Sequence, residues 1–259
     1  MKNVIYFLST LITFFLITSF KFSNKDLDVL PKEVEQAFEK ALNFAQKNQD
    51  KAHFTYYFEE ESEKGKNNSI KMNVDYGSFF DKNERFLIAS CNYNNGFFGF
   101  YRIYIKTEKG FELAINEDIH MTGYTHLRDI NGDKNVDFVI NWESGTGCCP
   151  RQSKIVFLYK NKNFIKYDFL NPTFSPKEKV IRGLGYGYFP EVGLYKYKWN
   201  GTKLDTVEYI YRTKESNFKK FVRTKKQIHL PKHNQGEVLY SLPKEYQNIN
   251  ELDWFLKDL

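Results

Sequence analysis

The chain has 259 residues, of which 41% are hydrophobic and 27% charged, with a formal net charge of +6. These values exclude a disordered or fibrous chain, and the length allows one large domain or two small ones. So mild a charge makes no case for nucleic acid. Aromatics are abundant, with 25 Phe, 18 Tyr and 3 Trp, and aromatic wealth favours strands over helices.

Residues 1–23 read as an address. Lys2 precedes an apolar run without charge from Val4 to Phe20, the pattern of a secretory signal. The run is at the lower limit for spanning a bilayer, and Thr18-Ser-Phe-Lys-Phe-Ser23 has no Ala-x-Ala cleavage pattern. The segment is therefore a cleaved signal or an uncleaved anchor. Either places the rest of the chain outside the cytoplasm, in the periplasm, secreted or at the cell surface. Membrane contact is expected only through an uncleaved N-terminus.

Residues 24–50 hold the one clear helix, Leu30 to Lys47. Val34, Phe38, Ala41, Leu42 and Ala45 recur at helical spacing, and Pro31 sits where a first turn tolerates it. From 51 to 259 the texture is all-β. Strands are predicted at His53–Glu60, Ser69–Val74, Arg85–Cys91, Phe100–Lys106 and Phe111–Ile115. Further strands follow at Val136–Trp142, Lys154–Tyr159, Phe164–Phe169, Gly193–Trp199 and Thr206–Tyr211. Three hairpins stand out: Ile103–Leu113, Val156–Ile165, and Leu194–Leu204 with Asn200-Gly201 as its turn. Their spacing of roughly 40–55 residues is that of propeller blades. A meander or sandwich of hairpins has the same texture, so the expectation is a propeller-like or meander arrangement. Glu59–Glu63 reads as a solvated acidic turn. Asn217–Lys226 reads as a lysine-guarded strand edge, or else as a patch for an anionic partner. Asn250–Leu259 reads as a short closing helix.

The sharpest motif is Asp129-Ile-Asn-Gly-Asp-Lys-Asn-Val-Asp137. Counting from Asp129, side-chain oxygens fall at positions 1, 3, 5 and 9: Asp129, Asn131, Asp133 and Asp137. The Asn135 carbonyl stands at position 7. Calcium takes six to eight such oxygens, and three carboxylates this close repel unless a cation neutralises them. The alternative is an Asp/Asn/Gly turn without metal. Position 12 is Ile140 rather than Glu, which excludes an ordinary EF-hand; water or Glu143 would complete the shell. The motif resembles the calcium loops of FG-GAP-type repeats of integrin α-subunit propellers, Asp-x-Asn-Gly-Asp-Gly-x-x-Asp before an apolar residue. Asp129, Asn131, Gly132, Asp133, Asp137 and Phe138 match. Lys134 stands where that family has Gly, and a positive φ there costs about 1 kcal/mol. Leu127–Tyr159, with Ser144–Gln152 after the apolar strand, is similar to exported calcium-loop β-propeller proteins of Gram-negative bacteria. One branch of these comprises immunity proteins that inhibit lysozyme-like interbacterial toxins. The resemblance implies a propeller fold and a structural Ca2+.

Other motifs carry less. Cys148 and Cys149 are adjacent, and Cys91 is the third cysteine. Cys91 pairing with one of them, a strained vicinal bridge, or three free thiols all remain open. His229-x-x-x-His233 has ligand spacing, but Pro231 opposes a helix there. No nucleophile–base pair is legible, so a non-enzymatic module is expected. Its partner is a protein, in the family's terms a peptidoglycan hydrolase, or alternatively a glycan. Loops 92–99 and 144–152 are the expected contact surface, through Phe97, Phe98, Thr146 and Arg151. A hydrolase with a site built from scattered loops is the remaining alternative.

Overall fold

A computed structural model describes residues 31–61, 69–120, 123–143, 152–185, 187 and 191–257. Helix α1 spans Lys32–Lys47 and buries Val34, Ala37, Phe38, Ala41 and Ala45. Pro31 caps it from just outside the first turn. The period-3.6 stripe read from the sequence is the buried face, with Leu42 at its margin.

Three antiparallel meanders follow in chain order. The first is β1 (Phe54–Glu61), β2 (Ser69–Gly77), β3 (Phe86–Tyr93), β4 (Phe98–Thr107) and β5 (Gly110–His120). The second is β6 (Gly123–Arg128), β7 (Asp137–Glu143), β8 (Gln152–Lys160) and β9 (Asn163–Leu170). The third is β10 (Pro172–Ser175), β11 (Val180–Leu184), β12 (Gly193–Asn200), β13 (Lys203–Arg212), β14 (Phe221–Thr224) and β15 (Glu237–Leu239). Within each sheet every strand pairs only with its chain neighbours. Helix α2, Leu252–Leu256, closes the described chain.

The layers stack in sequence order because the strands alternate. In β3, Leu87, Ala89 and Cys91 point at α1, while Phe86 and Ile88 point at the second sheet. In β7 and β8, Phe138, Ile140, Ile155 and Phe157 face the first sheet; Val139, Val156 and Leu158 face the third. In β12, Tyr195 and Trp199 face the second sheet, and Leu194 faces the C-terminal cap of Tyr246, Ile249 and Phe255. Strands buried on both faces read as continuous apolar runs. That is why β3, β7 and β8 are so hydrophobic. Among the described residues the sheets close neither a barrel nor a propeller ring. The β-rich class is as expected, while ring closure is not seen.

Several local expectations change. Strands β6, β10, β11 and β15 carry no clear pattern in the sequence. Glu59–Glu61 belongs to β1, not to a turn, and Glu60 and Glu59 pair with Lys40 and Lys71. Asn217–Lys226 contains β14, which is flanked by β13 and β15 and so is not an edge. Arg223 instead bonds across the pair to Glu237. The β12–β13 turn is Gly201-Thr202, with Asn200 as the last strand residue. Gly201 carries φ +63°. The β8–β9 turn uses Asn161 and Lys162, both at positive φ without glycine. The closing helix, Leu252–Leu256, is shorter than Asn250–Leu259, and Phe255 is its one fully buried residue. Cys91 is a free thiol, buried against α1; burial pushes it up to about 12. Among the described residues Cys91 forms no disulfide, and its side chain sits inside the helix–sheet layer. Cys148 and Cys149 lie outside the described residues, as do residues 1–23. No described helix is long and apolar enough to cross a membrane.

Candidate functional site

The nonapeptide forms a closed loop between β6 and β7. Asp129 spans it, with Oδ1 accepting from the Gly132 amide at 2.7 Å and Oδ2 from Lys134 at 2.9 Å. Asn131 Oδ1 accepts from Asp133 N at 3.1 Å, and Asp133 Oδ1 from Asn135 N at 2.8 Å. The Asn131 amide donates to Asp133 Oδ2 at 3.1 Å. These Asx-type bonds hold the turn without a metal. They also bring all the expected ligands into one loop. Gly132 has φ +75°, and a Cβ there would stand 2.1 Å from the Pro176 carbonyl oxygen. Only glycine lets the β10–β11 turn of the third sheet approach so closely. Lys134 takes φ +71°, the strained position the motif implies. Ile130 is fully buried in the core between the second and third sheets. The loop is thus pinned at the seam of two layers.

Asp137 is the exception within the loop. It is 1% exposed; Oδ2 accepts from the Ile130 amide at 2.8 Å, and Oδ1 is buried with no hydrogen-bond partner. Burial, then the nearby Asp133 and Asp129 charges, push its carboxyl up to about 7. A buried, half-satisfied carboxylate beside two others is costly, and a divalent cation removes that cost. The donor types are those that calcium takes. Even so, no group of three or more His, Cys, Asp or Glu side chains among the described residues is gathered for a metal. The oxygens of Asp129 and Asp133 are turned onto the loop's own amides, so each would share its remaining lone pairs.

The expected contact residues divide. Phe97 is 65% exposed and follows Asn94, Asn95 and Gly96, all at positive φ. Ser69 bonds Asn95 across the loop at 3.1 Å. Phe98 is half-buried, its ring 5.4 Å from His120. Thr146 and Arg151 lie outside the described residues. Glu143 ends β7, exposed. His233 bonds Thr213 at 2.7 Å, and His229 stands 3.2 Å from Glu191, so the two do not converge on a metal.

A second surface was not anticipated. A cleft of about 280 Å³ lies between β9 and the third sheet, lined by Asp168, Glu191, Tyr195, Tyr197, Tyr209 and Tyr211 among others. Tyr195 and Tyr197 stack at 4.8 Å, and Tyr209 lies edge-on to Tyr197 at 6.3 Å with their hydroxyls 3.3 Å apart. Tyr195 lies over Gly183 and Tyr211 over Gly193, where any Cβ would collide with the Tyr195 hydroxyl at 2.3 Å and with the Tyr211 ring at 2.5 Å. The strand glycines let the rings lie flat on the sheet. The sequence signal is Tyr at every second position in two strands that the Gly201 turn brings together. No family model, no curated protein and no solved structure matches the chain.

Proposed function

We propose that the chain is an exported, calcium-stapled β-module that binds a macromolecule and performs no chemistry of its own. The observation that carries it is the orphan oxygen of Asp137, buried in a loop whose residues 1, 3, 5, 7 and 9 supply oxygens. Asp129, Asn131, Asp133 and Asp137, with the Asn135 carbonyl, hold the ion. Bound there, calcium neutralises the carboxylates and fixes the seam between two sheets. An extracellular site of this kind binds at roughly 10⁻⁴–10⁻³ M. On this reading the three meanders are blades of a propeller-like stack. Phe97, displayed by a backbone held at positive φ, is the anchor for a protein partner such as a peptidoglycan hydrolase. Strain of that kind persists where the surrounding structure enforces it. Thermal melting with calcium and with chelator tests the staple. Pull-down from a periplasmic extract tests the partner; recovery of glycan alone counts against a protein.

The tyrosine cleft favours a second reading, a glycan-binding surface. Sugar rings stack on flat aromatic faces, and the Asp168 and Glu191 carboxylates and tyrosine hydroxyls bond to ring hydroxyls. Affinity electrophoresis on peptidoglycan or polysaccharide separates the two.

A further inference from the structure

Two cationic side chains meet beside Phe174, and among the described residues no carboxylate receives them. Arg128 ends β6 and Lys154 lies in β8. The Arg128 guanidinium stands 5.3 Å from the Phe174 ring centroid and the Lys154 ammonium 5.4 Å from it. Two cations sharing one ring repel each other, and an acidic partner would ordinarily settle such a pair. Among the described residues neither forms an ion pair. Burial, and then the Arg128 charge, hold Lys154 below its ordinary value.

His126 supplies an independent observation, and its tautomer follows from the bonds around it. Asn141 is buried, and its amide nitrogen donates to the Tyr124 carbonyl at 3.2 Å. A carbonyl only accepts, so that contact fixes which way the amide points. The same nitrogen lies 2.8 Å from His126 Nδ1. Nδ1 therefore accepts, and the ring proton sits on Nε2. That Nε2–H is buried and has no acceptor. Burial, and then Arg128 and Lys154, push the ring down to about 4; the ladder sets all three on one face of the sheet, with His126 and Arg128 two apart in β6 and Lys154 opposite Asn141, itself opposite Tyr124. Asn141 Oδ1 is likewise buried without a donor, which suits a hydroxyl next to the anionic group. Tyr124, 66% exposed, forms an open wall.

From this convergence we infer that His126, Arg128 and Lys154, backed by Phe174, form a binding site for an oxyanion, a carboxylate or a phosphate-like group. The guanidinium fork, the ammonium and the imidazole N–H all donate and none accepts, which is the chemistry such a group requires. None of the three is a ligand of the calcium loop, and the site is distinct from the tyrosine cleft. Acetate and sulfate stand for the two sources of the group.

The test is a titration of the full chain with each anion against chloride at matched ionic strength. The ring resonances of the histidines are followed by NMR, with His126→Gln assigning the reporter. A saturable shift of His126, weakened at least tenfold in Arg128→Gln and in Lys154→Gln at unchanged circular dichroism, supports the site. Tighter acetate indicates a carboxylate ligand, and tighter sulfate a phosphate-like one. Shifts that stay linear and match chloride, or affinities unchanged in both variants, overturn it. The wild-type melting temperature gives a reading that needs no variant. At anion concentrations too low for the general stabilisation that excluded sulfate gives, it rises above that in chloride if the site binds, and tracks chloride if it does not.

Discussion

The Ile130 amide donates to one carboxylate oxygen of Asp137 at 2.8 Å, while the other oxygen, also buried, makes no hydrogen bond of ordinary geometry among the described residues, although the Tyr159 amide also acts on the carboxylate. Ile130 is itself a core residue between the second and third sheets. The loop's unfinished polar group and the packing of two layers are thus one backbone unit apart. Whatever satisfies Asp137 therefore stabilises the seam.

Calcium is expected to raise the melting temperature, and chelator to lower it. Asp137→Asn removes the charge at nearly constant shape. In chelator it should be at least as stable as the parent at neutral pH, because an uncompensated buried carboxylate has gone. It should also lose its response to calcium. Urea unfolding with and without the ion checks both, and a calcium-responsive Asn variant would contradict the assignment of Asp137 as a ligand.

The two positive-φ positions of the loop have opposite signs. Gly132→Ala places a methyl group on the Pro176 carbonyl at φ +75°. It should cost about 2–3 kcal/mol by strain and displacement together. Lys134→Gly relieves φ +71° and should gain about 1 kcal/mol. Denaturation midpoints measure each.

Arg182 is 8% exposed at its side chain and reaches Glu178 at 2.7 Å and Glu245 at 3.0 Å, tying β11 to the C-terminal cap. Lys196 meets the same Glu245 at 2.8 Å. Arg182→Met should destabilise by about 1–3 kcal/mol. A wholly buried pair would lose more, but the two glutamates are partly solvated. Glu178→Gln, on the exposed side, should change stability by less than 1 kcal/mol.

Acid should weaken the fold through His126. Its folded value, about 4, lies below the ordinary value of 6.5. The unfolded chain therefore binds the proton first. This contribution to stability is complete above about pH 6.5 and is lost as the pH falls towards 4. His126→Gln should flatten that part of the stability–pH profile, and an unchanged slope would show that the ring is not the group responsible.

Phe97→Ala should leave stability within about 0.5 kcal/mol, because the ring is 65% exposed, yet abolish capture of a protein partner. Tyr209→Ala should do the reverse for glycan, removing retardation on a polysaccharide gel while capture persists. The pair of variants distinguishes the two readings of the surface.

The amino-acid sequence alone determined the helix over Lys32–Lys47, most strands of the first two meanders, the β12–β13 hairpin and the loop Asp129–Asp137. Each is written in local periodicity or in fixed spacing within one short segment. Lys134 at positive φ was legible too, because the motif demands that geometry. The tertiary structure alone decided the rest. Strands β10 and β11 are short, and Val180–Leu184 draws its pattern from β12, not from its own alternation. The buried state of Cys91 depends on α1 lying over β3. The tyrosine cleft needs a turn, two glycines and the β9 edge to bring together residues from separate strands. The cationic cluster needs β6 and β8, on either side of β7, to meet β10 of the third sheet. Short-range sterics and hydrophobic period act along the chain, whereas burial, like-charge crowding and an unanswered hydrogen bond exist only once distant strands have packed.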